Sequence, residues 1–353
     1  MPIIKVANFG IEYLQVLDES GNIDEALMPK LSASDIIHLY EWMILTRIFD
    51  ETAMKLQREG RLLTYAPTLG QEAAQVGAAA ALNRQDWVFP SFRENGAMLL
   101  RGFPAHLLYM YWAGDERGMK IPENVNCFSI AIPVGTHIPH AVGFAWGNKM
   151  QKKDVVTLVF FGDGATSKGD FHEALNFAGV FKTPLVAVIQ NNQWAISVPV
   201  SRQTSSQTLA QKAISYGFKG VKVDGNDIFA VYKATREAVE NARKGLGPTL
   251  IECFTFRMSH HTTADDWTRY RSKEEVEAWK KKDPIVRLER FMERKGILTE
   301  QEKDRIMGNA KTKIDDAIKA AEAQPPPDPK DIFKYIYAEM TENLKEQMEE
   351  MGG

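Results

Sequence analysis

Between residues 155 and 256, unbroken apolar runs alternate with segments of helical period. Strand-sized apolar stretches fall at 155–161, 185–189, 220–223 and 249–256, separated by helical patterns at 170–180, 206–216 and 228–244. Strands that alternate with helices imply parallel pairing through right-handed crossovers. Runs such as VVTLVFF contain no alternating polar residues, so both faces of these strands are expected to be covered. The pattern predicts an α/β fold, a mainly parallel sheet with helices on both faces. Ligands of such a fold lie beyond the carboxyl ends of the strands.

The flanking regions are patterned differently. Residues 1–30 read as an arm with one short strand at 13–17. A helix then opens at Ser32 or Ser34, with apolar positions at Ile36, Ile37, Tyr40, Trp42 to Leu45 and Ile48. GQEAAQVGAAAAL, from Gly70, and residues 138–150 are rich in small residues, as expected of helices that approach their neighbours closely. After residue 256 comes SHHTTADDWTRYRSKEE, too long and too polar for a tight turn. Charged helices are expected at 273–295 and 300–323. The run Pro325-Pro326-Pro327-Asp328-Pro329 then breaks the pattern before an amphipathic segment at 332–351. The division is an arm (1–30), an α/β domain (31–324) and a helical tail (325–353), with no internal repeat.

Composition narrows the function classes. The chain has 353 residues, 25% of them charged, and a net charge of −3 with Lys and Arg dispersed among Asp and Glu, which gives nucleic-acid binding little support. Its two cysteines, Cys127 and Cys253, form no Cys-x-x-Cys pair, which argues against a disulfide scaffold or a structural zinc site and fits a reducing compartment. No apolar run is long enough to span a bilayer, and the amino terminus lacks the pattern of a signal or transit peptide. A cytoplasmic protein without membrane association is expected.

Candidate chemistry gathers at two strand ends. The run ending at Phe161 continues as Gly162-Asp163-Gly164, which places a carboxylate at a carboxyl edge between residues that let backbone approach a ligand. The next run, LVAVIQ, ends in Asn191-Asn192. On adjacent or near-adjacent strands, Asp163 and an Asn amide oxygen can converge on one point. Hard oxygen ligands of this kind suit Mg2+, with phosphate oxygens completing an octahedron. A lone Gly-Asp-Gly is a common turn. Its pairing with Asn-Asn after one strand-helix-strand unit is far more specific.

GDG followed about thirty residues later by NN resembles the cofactor motif of thiamine diphosphate enzymes. Further segments, PSFREN (90–95), IPVGTHIPHAVG (132–143), FRMSHHT (256–262) and DDWTRYRSKEE (265–275), are similar to the α subunit of heterotetrameric E1 in 2-oxo acid dehydrogenase complexes. The resemblance runs from LTRIFDE at 45–51 to the tail. It implies the thiamine diphosphate-binding fold, with Mg2+ held by the Asp163 and Asn192 side chains and the Trp194 carbonyl. Gly164 and Ala165 beside Asp163 match cofactor-binding positions. Arg93 and Arg257 match residues that contact the diphosphate, a role suited to paired N–H donors. Phe92 keeps an aromatic wall where many relatives have Tyr, without the hydroxyl. His261 matches a catalytic histidine near the reacting carbon, with His260 its competitor by adjacency. Ile132 and Val134 match backbone contacts to the aminopyrimidine; read alone, they would be buried core.

Asp170 and Glu173 lie one turn apart near a helix start, where negative charge is tolerated and capping is the simpler account. By resemblance they match an acidic passage joining two active sites, hence a proton-carrying role. The resemblance further implies decarboxylation of a small 2-oxo acid and reductive acyl transfer to the lipoyl group of E2. The partners would be an E1 β subunit in an α2β2 heterotetramer, since no segment here resembles the one carrying the glutamate that acts on the pyrimidine, and the E2 acyltransferase. GRLLTYAPT (60–68) and NLKEQ (343–347) are similar to bacterial pyruvate enzymes. Branched-chain 2-oxo acid and acetoin members share the other motifs.

Overall fold

A computed structural model describes residues 3–352. In chain order the strands are β1 (Glu12–Leu14), β2 (Trp87–Phe89), β3 (Thr157–Gly162), β4 (Leu185–Asn191), β5 (Trp194–Ala195), β6 (Val198–Pro199), β7 (Lys219–Asp224) and β8 (Thr249–Phe254). Six of them form one sheet in the order β1-β7-β8-β4-β3-β2, and every pairing in it is parallel. β5 and β6 form a separate antiparallel hairpin.

The expected layering follows from the side chains of the central strands. Leu158 and Phe160 of β3 enter one core with the helices Ala33–Arg58, Glu72–Ala80 and Ile228–Arg243. Val159 and Phe161 enter the other with the helices His137–Met150 and Gly169–Phe181. Successive residues of a strand point to opposite faces, so a strand covered on both faces must be apolar at every position.

The first long helix is capped by Ser32, not Ser34: the Asp35 N–H donates to Ser32 Oγ at 3.2 Å while the Ser32 N–H donates to Asp35 Oδ2 at 2.8 Å. Close approach holds for the first small-residue helix, where a Cβ on Gly77 would meet Val231 Cγ1 at 3.0 Å. It does not hold at Gly143 and Gly147 of the second, where added Cβ atoms would meet nothing within 4 Å.

Several boundaries differ from the pattern. The arm's strand lies at Glu12–Leu14 rather than 13–17 and pairs with β7 at the sheet edge. β2 has no counterpart in the hydrophobic pattern, because three residues carry no readable period. The helix expected at 206–216 is a 3-10 stretch, Ala210–Tyr216. The helix expected at 273–295 is two, Lys273–Lys280 and Pro284–Arg294. Pro284 has no N–H to extend the first, and Asp283 caps the second by accepting from Ile285 and Val286 N–H. The tail forms two short helices, Asp331–Lys334 and Glu342–Met351, instead of one amphipathic segment, and leaves Ile332, Tyr335, Ile336 and Tyr337 exposed. Among the described residues no helix is long and apolar enough to cross a membrane.

Candidate active site

β3 and β4 are neighbours, with Gly162 in register with Gln190. Asp163 and Asn192, the residues that follow each strand end, therefore line one cavity of about 590 Å³ at the carboxyl edge. Phe92, Arg93, Ile132, Val134, Gly164, Ala165, Trp194 and His261 line it as well. Ten expected positions from five separate stretches thus meet at one place.

The turn around Trp194 is strained. Gln193 has φ of 71° and Ile196 has φ of 55°, values rare for non-glycine residues and rarest for β-branched ones. Such conformations persist where surrounding contacts over-determine them. Here the strain aims two carbonyls at one cation: Arg257 Nη1 donates to Trp194 O at 2.9 Å and Nη2 to Ile196 O at 2.7 Å.

Arg257 and Arg93 are both buried. Arg93 Nη1 donates to Pro67 O at 2.5 Å and Nη2 to His261 O at 3.1 Å. All these acceptors are neutral, and neither guanidinium is in any of the ion pairs among the described residues. Arg257 Nε is buried without a partner. Burying a cation without an anion is costly, which is why a surface ion pair is the usual fate of arginine. Burial, then the neighbouring Arg257, lowers the Arg93 pKa to about 10. Burial lowers that of Arg257 as well. The same cause, reinforced by the two arginines, drives His261 down to about 3. The imidazole is therefore neutral, its Nδ1 accepting from the arginines and its proton on Nε2. This is a cradle for an anion with two or more oxygens.

The metal half has a matching donor set. Asp163 is buried and supplies a carboxylate, Asn192 an amide oxygen and Trp194 a carbonyl, all hard oxygens suited to Mg2+. Among the described residues no group of three or more His, Cys, Asp or Glu forms a metal cluster. A cation here would take its remaining oxygens from its ligand, as a metal–diphosphate would supply.

Other expectations land differently. Ile132 and Val134, core residues if read alone, are 51% and 46% exposed at the cavity wall beside Gly135, whose φ is +83°. His261 rather than His260 faces the cavity. Asp170 and Glu173 lie on the helix Gly169–Phe181 outside the cavity lining, and that helix has no side-chain cap. In the polar stretch after residue 256, Asp265 accepts from His261 N–H at 2.7 Å and from Tyr270 Oη at 2.5 Å, and Arg271 Nη2 donates to Ser259 O at 2.6 Å. Asp266 caps only its own turn, at Thr268.

Comparison with known proteins agrees with the geometry. The sequence pattern of the dehydrogenase E1 component matches residues 40–330. The chain belongs to that family. Among relatives of this E1 chain, the pyruvate dehydrogenase E1 component subunit alpha of Acholeplasma laidlawii is 46% identical over 94% of the chain and 97% of that relative. The protein of the same name from Bacillus subtilis is 43% identical over 95% and 91%. A 3-methyl-2-oxobutanoate dehydrogenase subunit alpha of Mycobacterium tuberculosis is 47% identical over 89% and 85%. Membership implies thiamine diphosphate as the cofactor of this E1 chain, and the cradle of Arg93, Arg257 and His261 fits its diphosphate.

Some residues around the E1 cavity were given no role by the sequence. Gln71 lies within a stretch that reads as helix packing, yet it is fully buried and lines the cavity. Gln203 lies outside every motif but donates to Asp163 Oδ2 at 2.6 Å. Asp50, wholly buried, accepts from Tyr65 Oη and the N–H groups of Thr68 and Leu69, and so fixes the segment whose Pro67 carbonyl holds Arg93.

Proposed function

We propose that this E1 chain is the α subunit of a pyruvate dehydrogenase E1, holding Mg2+ and the diphosphate half of thiamine diphosphate and acting with a β subunit and the lipoyl group of E2. The carrying observation is the pair of buried arginines, neither in an ion pair among the described residues, that converge on His261 at the wall of the cavity lined by Asp163, Asn192 and Trp194. Thiamine diphosphate supplies the carbanion chemistry that removes CO2 from a 2-oxo acid. Arg93 and Arg257 hold the diphosphate by charge-assisted hydrogen bonds. Asp163, Asn192 and the Trp194 carbonyl would hold the cation. His261, neutral with its proton on Nε2, can donate to a substrate carboxylate or carbonyl oxygen. The backbone beside Ile132 and Val134 is available to the aminopyrimidine. Asp170 and Glu173, outside the cavity on the adjoining helix, are assigned a proton-carrying role between sites; Asp170→Asn should alter cofactor-activation kinetics, and unchanged kinetics at both sites would remove that assignment.

Dependence on a second chain is supported by the cavity's carboxylates, both of which are committed. Asp163 belongs to the cation. Glu94 accepts from Ser91 N–H, Ser91 Oγ and Arg93 N–H on one oxygen and from Gln190 Nε2 on the other. A carboxylate acting on the pyrimidine would come from the β subunit, and the exposed apolar rim of Ile132, Val134 and Ile196 suits coverage by it.

Pyruvate is favoured by the nearly full-length match to relatives of that name. The 47% identity to the 3-methyl-2-oxobutanoate relative favours a second reading, a branched-chain substrate. Steady-state rates with the β subunit present decide between them: kcat/KM should be higher for pyruvate than for 3-methyl-2-oxobutanoate, and the reverse order establishes the branched-chain reading.

A further inference from the structure

Each of the two side chains assigned to the cation is gripped by a glutamine. Asn192 Nδ2 donates to Gln71 Oε1 at 3.1 Å, while Asn192 Oδ1 faces Trp194 N–H at 3.3 Å. On the other side, Gln203 Nε2 donates to Asp163 Oδ2 at 2.6 Å and to Val198 O at 3.0 Å. Only the oxygen end of an Asn amide can ligate a hard cation, so an asparagine free to flip would present its NH2 half the time. Gln71 removes that freedom by giving the NH2 group an acceptor. Gln203 occupies one oxygen of Asp163 with a neutral donor and leaves the other for a single metal bond.

The orientation of Gln203 is itself determined. Flipping its amide would set Oε1 against a carboxylate and a carbonyl, acceptor facing acceptor. The native arrangement avoids this although it leaves Oε1 buried without a partner. Gln203 also ends the helix Val200–Gln203, which follows the β5–β6 hairpin that carries the Trp194 carbonyl. One short stretch therefore provides the carbonyl donor and holds the carboxylate donor.

We propose that Gln71 and Gln203 are positioning residues of a divalent-cation site, each restraining one ligand so that a single oxygen of Asn192 and of Asp163 is presented. The inference rests on the cation site of the proposed function and deepens it. Partners that orient metal ligands typically matter roughly tenfold to a hundredfold in metal affinity.

The test uses the full chain assembled with its β subunit, with Mn2+ as the probe in the presence of thiamine diphosphate and bound metal read by electron paramagnetic resonance. Gln71→Met and Gln203→Met should weaken Mn2+ binding by roughly tenfold or more, with the melting temperature measured without metal near that of the parent. Gln203→Glu should be the weakest binder of the three, because it replaces a donor to Asp163 by a like charge; a role in filling space alone would make Glu the mildest change. Gln203 is only partly buried, so its variants keep the test open even if the fully buried Gln71 does not tolerate substitution. Mn2+ affinities within twofold of the parent in the Gln203 variants overturn the proposal for that residue, and the same result in Gln71→Met overturns it for Gln71. Asp163→Asn is the control. If the parent binds Mn2+ and Asp163→Asn does not, normal binding by the glutamine variants overturns this inference alone; if the parent takes up no Mn2+, the cation site itself falls with it.

Discussion

Arg93 and Arg257 converge on the same imidazole nitrogen: Nη2 of the first lies 3.2 Å and Nη1 of the second 3.3 Å from His261 Nδ1. Two buried cations directed at one neutral atom are costly unless an anion completes the arrangement. The apo chain is therefore expected to carry electrostatic stress that the cofactor relieves.

Substituting either arginine by Met tests that relationship in both directions. Charge-assisted hydrogen bonds are each worth about 1.5–3 kcal/mol, so affinity for thiamine diphosphate should fall roughly tenfold to a hundredfold. The melting temperature of the cofactor-free chain should fall less than the loss of these hydrogen bonds alone would cost, because a costly buried charge goes with them. Calorimetric titration and thermal unfolding give the two readings. Unchanged affinity would remove the residue from the cradle.

His261 adds a pH dependence whose sign follows from its environment. Burial and the two arginines lower its pKa from the ordinary 6.5 to about 3. Between those values the unfolded chain binds the proton and the folded chain does not, so this residue's contribution to stability is present above pH 6.5 and is lost as pH falls through that window. His261→Asn should flatten that part of the acid limb of the stability profile. Diphosphate binding neutralises the arginines and raises the imidazole pKa, so cofactor binding near pH 6 should take up protons. Calorimetry in two buffers of different ionisation enthalpy measures the uptake, and none at all would contradict the account.

What the sequence made legible and what it concealed have a common physical origin. The central strands could be read because burial on both faces forces an unbroken apolar run, and β3 and β4 fall within a residue or two of expectation at their cores. Asp163 and Asn192 could be read because a strand end fixes where the next residue goes. Ile132 and Val134 could not be read from residue type: as isolated side chains they signal core, whereas both are exposed at the cavity wall. Gln71, Gln203 and Asp50 act through hydrogen bonds to residues distant in sequence, and no local pattern encodes a partner 40 or 121 positions away. The break at Asp283-Pro284 was present in the sequence as a capping residue followed by proline, but the charged pattern on either side concealed it.

A buried ion pair ties the helices Ala33–Arg58 and Glu72–Ala80 together and reaches the cap of Pro284–Arg294. Arg47 Nε lies 2.5 Å from Glu72 Oε1, with Glu72 fully buried, and Arg47 Nη2 lies 3.0 Å from Asp283 Oδ2. Arg47→Met would leave the Glu72 carboxylate buried without its cation, a change that costs about 3–5 kcal/mol. The double variant Arg47→Met with Glu72→Leu should recover much of that loss, since neither charge remains. Urea unfolding of both variants measures the coupling. A cost below about 1 kcal/mol for Arg47→Met would mean that solvent reaches Glu72.

The loop at 259–271 should report occupancy of the site. His261 is part of the cradle and also donates its N–H to Asp265, while Tyr270 Oη bridges Asp265 and Arg257, from which it accepts at 3.0 Å. A ligand held by Arg93, Arg257 and His261 therefore stabilises the closed loop through bonds already formed, and local opening becomes rarer. Arg269 is exposed on this loop beside Trp267, so trypsin should cut there in the cofactor-free protein and more slowly with thiamine diphosphate and Mg2+. Tyr270→Phe removes the bridging hydroxyl and should restore part of the cutting in the loaded protein without abolishing cofactor binding. Equal cleavage rates with and without cofactor would show that the loop closes independently of the site.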